Sequence, residues 1–164
     1  VLYHSRNVGL KLKKRQRKVQ VIGGGYIGYE LAQMFARIGT RVTLVKRSRL
    51  LPEAEPKIAE ELTGYLVGEG ITVRADLSYS GIKSGDGEIA LSVDVDGRIE
   101  TLTAEKVLVT TGRVPNTADL GLVESSVELA RNGGVVVDDR MRTTLPGFYA
   151  ACAVIGRALF LHPL

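Results

Sequence analysis

The chain has 164 residues, 45% of them hydrophobic and 24% charged, enough for one compact domain and too apolar for a disordered segment. No apolar run approaches the roughly 20 residues of a membrane-spanning helix, and no leader-like stretch opens the chain, so a soluble, cytoplasmic protein is expected. The formal charge of +4 suggests a nucleic-acid binder only until it is located: Lys11, Lys13, Lys14, Arg15, Arg17 and Lys18 carry it, and the rest of the chain is net negative. The single cysteine, Cys152, excludes an internal disulfide, a CxxC zinc site and a dithiol made by this chain alone, and with His4 and His162 at opposite ends no metal site is expected.

Residues 1–18 show no consistent period and read as an irregular basic segment. From residue 19 onward, short β-branched runs alternate with helical periods, the pattern of βαβ units around a parallel sheet. Residues 19–23 predict a buried strand. A helix follows, with Leu31, Met34, Phe35 and Ile38 on its buried face and Gly39 at its C-terminal cap. Residues 41–45 predict the next strand. Pro52, Glu53 and Pro56 open a second helix that buries Ile58, Leu62, Tyr65 and Leu66, and Gly68 and Gly70 stop it. Residues 71–74 form a third strand and complete β-α-β-α-β. The period then changes to alternation, with Ile89, Leu91, Val93 and Val95 leading into the hairpin pair Asp96-Gly97. With the runs at 77–83 and 99–102, this predicts a three-stranded antiparallel meander joined by a turn at 84–87. Residues 106–111 return to the parallel sheet, 117–134 are turn-rich, and 148–154 read as a last buried strand. The expected class is therefore α/β: a Rossmann-like parallel sheet flanked by helices, with the meander as an insertion.

Gly23-Gly24-Gly25-Tyr26-Ile27-Gly28 satisfies GxGxxG directly after a strand and at the start of a helix. There, Gly23 permits the tight turn, Gly25 lets a pyrophosphate approach the backbone, and Gly28 lets helix and strand pack closely. The phosphates would sit on the helix N-terminus, whose N–H groups and dipole favour anions. An NAD site places an acid at the end of the second strand to hold the ribose hydroxyls. This chain offers Lys46, Arg47 and Arg49, a set suited to a 2′-phosphate and hence to NADPH. Replacing Lys46 and Arg47 together is expected to weaken NADPH binding far more than NADH binding. The basic run at 11–18 supports a rival reading, a nucleic-acid-binding module. It offers phosphate attraction but no interleaved aromatic residues for stacking, so nucleic acid is not the expected partner.

Several separated motifs, VIGGGYIGYE at 21–30, LAQMFARIGT at 31–40, VTLVKR at 42–47, LVTTGRVPN at 108–116 and VDDRMRTTLPGFYAA at 137–151, together resemble the FAD-dependent pyridine nucleotide-disulfide oxidoreductases. Within that family the fit is best to the mercuric reductase branch, through ELAQMFARIGT and VVVDDRMRTT, and more distant to the glutathione reductases and lipoamide dehydrogenases. The resemblance implies that residues 19–117 are the NADPH-binding domain and 118–157 a partial return of the FAD domain, with 158–164 a truncated tail. It implies that hydride passes from NADPH to FAD and on through a cysteine pair to the substrate, Hg(II) or a disulfide, in a homodimer. It also assigns Tyr26 to cover the nicotinamide pocket, places Glu30 near the flavin and nicotinamide, and puts Gly112 and Arg113 in the TTGR turn against the nucleotide.

Departures from the family pattern matter as much. Where the family reads AAGDV, with the acid holding FAD, this chain reads Ala150-Ala151-Cys152-Ala153-Val154. The acid is replaced by Ala153, which argues against FAD binding by this chain, and Cys152 reads as a small buried thiol. The family's dithiol, its FAD glycine motif and its dimerisation domain have no counterpart here. We therefore expect no catalytic side chain in this chain, a fragment that binds nucleotide without turning over, and cofactors that carry the hydride chemistry.

Overall fold

A computed structural model describes residues 2–4, 16–48, 50–51, 54–85 and 87–156, with only the backbone of 2–4. The chain divides into two compact units, 1–112 and 113–164. The division falls within the TTGR turn, upstream of the boundary at 117 read from the sequence.

The first unit is built on a five-stranded parallel sheet. Its strands are β1 (Leu2–His4), β2 (Lys18–Ile22), β3 (Arg41–Val45), β4 (Thr72–Arg74) and β8 (Lys106–Val109), in the order β1-β8-β2-β3-β4. Between the last two run the antiparallel strands β5 (Ser78–Gly85), β6 (Glu88–Val95) and β7 (Arg98–Ala104). β2 lies at the centre, registered Val21 to Leu44 on β3 and Val21 to Leu108 on β8. Strand β1 falls inside the segment expected to be irregular and pairs with β8, Leu2 opposite Val107. Of the basic run, Lys11 to Arg15 lie outside the described residues. Arg17 pairs with Glu105 at 3.0 Å and the Lys18 ammonium donates to Thr103 Oγ1 at 3.4 Å.

Strand alternation divides the core in two. Val19, Val21, Val42, Leu44 and Leu108 point to one face and pack with Ala32, Phe35 and Leu66 of helices α1 (Tyr26–Arg37) and α2 (Pro56–Gly68). Ile22, Val45 and Val107 point to the other face and pack with Leu77, Ile89, Leu91 and Val93. The unit is thus helices, parallel sheet and meander in three layers, with both described helices on one face. The turn Asp96-Gly97 has φ of 52° and 81°, the primed hairpin type that matches strand twist.

Both helices correct the expected buried stripe in part: Phe35 and Leu66 are buried as expected, the other strongly apolar positions less so. In α1 the buried positions are Gly28, Ala32 and Phe35, whereas Met34 is 44% exposed and Ile38 is 51% exposed. In α2 Ala59 and Leu66 are buried, while Ile58 and Tyr65 stand in solvent. Small residues set the face because they let helix and sheet approach closely. Pro52 and Glu53 lie outside the described residues; Pro56 opens α2. Each helix ends with the paired hydrogen bonds of a Schellman motif: Gly39 N–H to Ala36 O and Thr40 N–H to Phe35 O, then Gly70 N–H to Val67 O and Ile71 N–H to Leu66 O.

At these helix ends Glu69 accepts from Gln33 Nε2 at 2.7 Å and from Arg37 Nε and Nη2 at 3.0 and 2.7 Å. The hydrogen bond from Arg37 holds the Glu69 carboxyl below its ordinary range. A carboxylate whose pKa is depressed by folding stabilises the native state above its unfolded pKa, and that contribution is lost as pH falls through the folded value. Glu69→Gln is therefore expected to lower the melting temperature near pH 7 and to converge on the parent only as pH falls below the depressed folded-state pKa of Glu69, where the carboxyl is uncharged in both states. A constant difference across that range in thermal melts counts against the tie.

The second unit, through residue 156, has a small core of Val127, Val135 and Val137 with Leu122, Leu129, Leu145, Val154 and Ile155 around it. It contains two isolated bridges, Leu129 to Val135 and Arg142 to Tyr149. The strand expected at 148–154 does not form. Phe148 and Tyr149 are exposed, and Cys152–Ile155 make a 3-10 turn that Cys152 enters with φ of 60°, off the extended region. Cys152 is exposed, which corrects its reading as a buried thiol.

Candidate functional site

The carboxyl ends of β2, β3 and β8 meet at the glycine turn. Gly23 N–H donates to Val45 O at 2.9 Å, and Thr110 N–H donates to Ile22 O at 2.8 Å, extending both ladders one residue past the strands. Thr110 Oγ1 donates to Ile22 O at 2.9 Å and so closes the turn from behind. Gly23 takes φ of +122°, and a Cβ there would lie 2.5 Å from Thr110 Oγ1. A Cβ on Gly28 would overlap the Gly23 carbonyl. Both positions are closed to any side chain, as the motif requires.

Gly25 differs. It is the N-cap of α1, contributes no side-chain cap, and a Cβ there would meet nothing within 4 Å. No acid lies in the first turn. The N-terminus of α1 thus keeps its positive dipole end uncompensated by its own side chains, over open space, which fits an anionic diphosphate. Tyr26 and Ile27 are half-buried and Glu30 is exposed. The Tyr26 ring lies 6.2 Å from that of Tyr29, tilted by 60°. Burial, with Glu30 and Tyr26 adding, raises the Tyr29 hydroxyl above its ordinary range.

The cations after β3 separate. The loop docks on the turn through Leu51 N–H to Gly24 O at 2.9 Å, with Leu50 and Leu51 buried. Lys46 is only 4% exposed, and its stem lies so close to Gly24 that a Cβ there would come 2.7 Å from Lys46 Cδ. Arg47 is exposed, its guanidinium 5.9 Å from the centre of the Tyr79 ring. Arg49 lies outside the described residues. The structure therefore does not present Lys46 and Arg47 as one exposed pair. Lys46 also borders a cleft of about 290 Å³ at the ends of β3 and β4, lined by Leu50, Ala59, Thr63, Val73 and Asp76 among others.

Gly112 has φ of +117° and open space around it, and Arg113 is exposed in the second unit. Two residues escaped the sequence reading. Thr110 is the first residue of the TTGR motif, two positions before its glycine, and its motif position is the signal that could have found it. Tyr79 carries no motif, and only the topology brings it to β3.

Residues 2–162 match the sequence profile described as pyridine nucleotide-disulphide oxidoreductase. A mercuric reductase of Bacillus cereus is 40% identical over 155 residues, covering 93% of this chain and 24% of that protein. A dihydrolipoyl dehydrogenase of Geobacillus stearothermophilus is 30% identical over 154 residues, covering 93% of this chain and 33% of that protein. Among solved structures, the HOCl-induced flavoprotein disulfide reductase RclA of Escherichia coli superposes with a TM-score of 0.85 at 29% identity, over 97% of this chain and 36% of that one. The chain spans about a quarter to a third of the length of these relatives. No helix among the described residues is long and apolar enough to cross a membrane.

Proposed function

Since the chain belongs to the pyridine nucleotide-disulphide oxidoreductase family, we propose that its first unit is the NADPH-binding part of a longer flavoprotein reductase. The observation that carries this reading is the N-terminus of α1 at Gly25, which has no side-chain cap, no acid in its first turn and open space at Gly25, with Arg47 on a loop pinned to the same turn. The diphosphate would rest on the amides of the first turn, with Gly23 and Gly28 closing the turn beneath it. Arg47 would take the 2′-phosphate, for which its forked donors are suited. Lys46, buried beside Gly24, supports the turn and walls the adjoining cleft, where the adenosine end would lie. Arg49 stays a candidate for the same phosphate, and Tyr26, Glu30, Gly112 and Arg113 for the nicotinamide end.

Bound NADPH supplies a hydride to the flavin of the intact enzyme; the residues here bind and orient it. FAD is held elsewhere in this reading, because Ala151, Cys152 and Ala153 are exposed and offer no carboxylate. The similarity to mercuric reductases supports Hg(II) as the whole enzyme's substrate, reached through a dithiol that another part of a homodimer supplies. The similarity to dihydrolipoyl dehydrogenases keeps a disulfide substrate as the alternative. In a chain of the relatives' full length, NADPH oxidation that depends on Hg(II) rather than on lipoamide or glutathione disulfide would separate the two.

Calorimetry of the chain with NADPH, NADH and FAD tests the nucleotide reading. Saturable NADPH heats, weaker NADH binding and no FAD uptake are expected. FAD binding, with bleaching of the flavin on NADPH addition, would overturn the assignment of FAD to other segments.

A further inference from the structure

Tyr79 in the meander touches both the glycine turn's support and the loop cation. It lies in β5 opposite Val93, and the register slips between Tyr79 and Gly81, leaving Ser80 without a partner on β6. A bulge of this kind re-aims the neighbouring side chains. The hydroxyl donates to Val45 O at 3.2 Å, the same carbonyl that receives Gly23 N–H at 2.9 Å. One acceptor at the end of β3 is therefore shared by the glycine turn and the meander. Two residues further on, the Arg47 guanidinium sits 5.9 Å from the ring centre of the same tyrosine.

We propose that Tyr79 is a positioning residue for 2′-phosphate recognition: its ring, held behind the end of β3, is the platform on which Arg47 rests. A guanidinium resting on an aromatic face keeps its in-plane N–H groups available to an anion while losing much of its rotamer freedom. The entropy of ordering the arginine is then spent before the nucleotide arrives. Burial raises the Tyr79 hydroxyl above its ordinary range and the Arg47 charge opposes that, as expected of a ring enclosed on one side and facing a cation on the other. The hydroxyl thus stays protonated, as its bond to a carbonyl requires.

The proposal rests on Arg47 as the 2′-phosphate ligand, and the test separates the two. Binding of NADPH, NADH and 2′,5′-ADP is measured by calorimetry on the parent chain and on Tyr79→Phe, Tyr79→Leu, Arg47→Ala and the Tyr79→Leu/Arg47→Ala double variant, each checked for a cooperative melt. A cation–π contact at an exposed site corresponds to roughly a threefold to fivefold change in affinity. Tyr79→Leu is expected to lose that factor for NADPH and 2′,5′-ADP with NADH unchanged, Tyr79→Phe to keep the parent's preference for NADPH, and the double variant to lose nothing beyond Arg47→Ala. Should Tyr79→Leu fail to fold, Tyr79→Thr carries the same comparison on a strand-compatible side chain. Equal losses for NADPH and NADH, or a Tyr79 effect that persists without Arg47, would reduce Tyr79 to a structural role and overturn the proposal. If Arg47→Ala itself leaves the NADPH preference intact, the 2′-phosphate reading falls and Tyr79's role falls with it; if Arg47→Ala removes the preference and Tyr79→Leu does not alter it, only the role of Tyr79 falls.

Discussion

Gly28→Ala is expected to lower the melting temperature by about 10 °C, while Gly25→Ala, three residues earlier in the same motif, leaves it within a few degrees and removes most nucleotide binding. The difference comes from what a methyl group would meet. At position 28 it meets the Gly23 carbonyl and Thr110, backbone and a hydrogen-bonded side chain that hold the ends of two central strands and cannot yield without breaking a ladder. Overpacking of this kind costs roughly 1–3 kcal/mol, and more against backbone, which for a unit of this size corresponds to a shift of that order. At position 25 the methyl enters open space, so the fold loses only the small difference between glycine and alanine at an N-cap. The same methyl stands where a diphosphate would approach the first-turn amides, and an affinity loss of about tenfold or more is expected. Melts and NADPH titrations of the two variants read both effects. Intact NADPH affinity in a well-folded Gly25→Ala chain would remove the glycine turn as the phosphate site.

Arg47→Ala and Lys46→Ala are expected to part in the same way, although the two residues are adjacent and equally charged. Arg47 is exposed beside the turn, and a charge-assisted bond from its guanidinium to a 2′-phosphate is worth about 1.5–3 kcal/mol, or roughly tenfold to a hundredfold in NADPH affinity. NADH, which lacks that phosphate, should bind as before, and the NADPH preference should shrink with added salt. Lys46 is buried with its stem against Gly24, so its removal leaves a void beneath the turn. Lys46→Ala should therefore lower thermal stability and weaken both nucleotides by a similar factor. A selective loss of NADPH in Lys46→Ala would mean that its ammonium reaches the phosphate after all, and that the buried conformation is not the one that binds.

The order of strands and helices from β2 to residue 74, the meander and the return at β8 were all readable from periodicity, because each is written in local alternation or helical spacing. The faces of the helices were not. Of the expected stripes Phe35 and Leu66 are buried, but Met34, Ile38, Ile58 and Tyr65 are exposed, and the sheet takes Gly28, Ala32 and Ala59 in their place. Strand β1 is three residues beside a charge run, and its partner Val107 lies about a hundred residues away, so no local pattern could announce it. At 148–154 the apolar composition suggested a strand, but the exposed ring of Tyr149 and the positive φ of Cys152 divert the chain. In the candidate site, the close packing at Gly23 and Gly28 was legible because the spacing of the glycines sets where β2 and α1 must meet. That Lys46 turns inward and Arg47 outward follows from the pleat at the end of β3 and from the meander behind it, neither of which the motif encodes.

Thr110 seals the turn between β2 and α1, yet it is separated from its acceptor, Ile22 O, by 88 positions in the chain. A growing polypeptide that has released everything through the meander therefore still lacks the back wall of the glycine turn proposed to cradle the diphosphate. Affinity for the dinucleotide should switch on only once β8 has left the ribosome and slotted between β1 and β2, so ligand capture by nascent chains of increasing length would time the insertion of that strand.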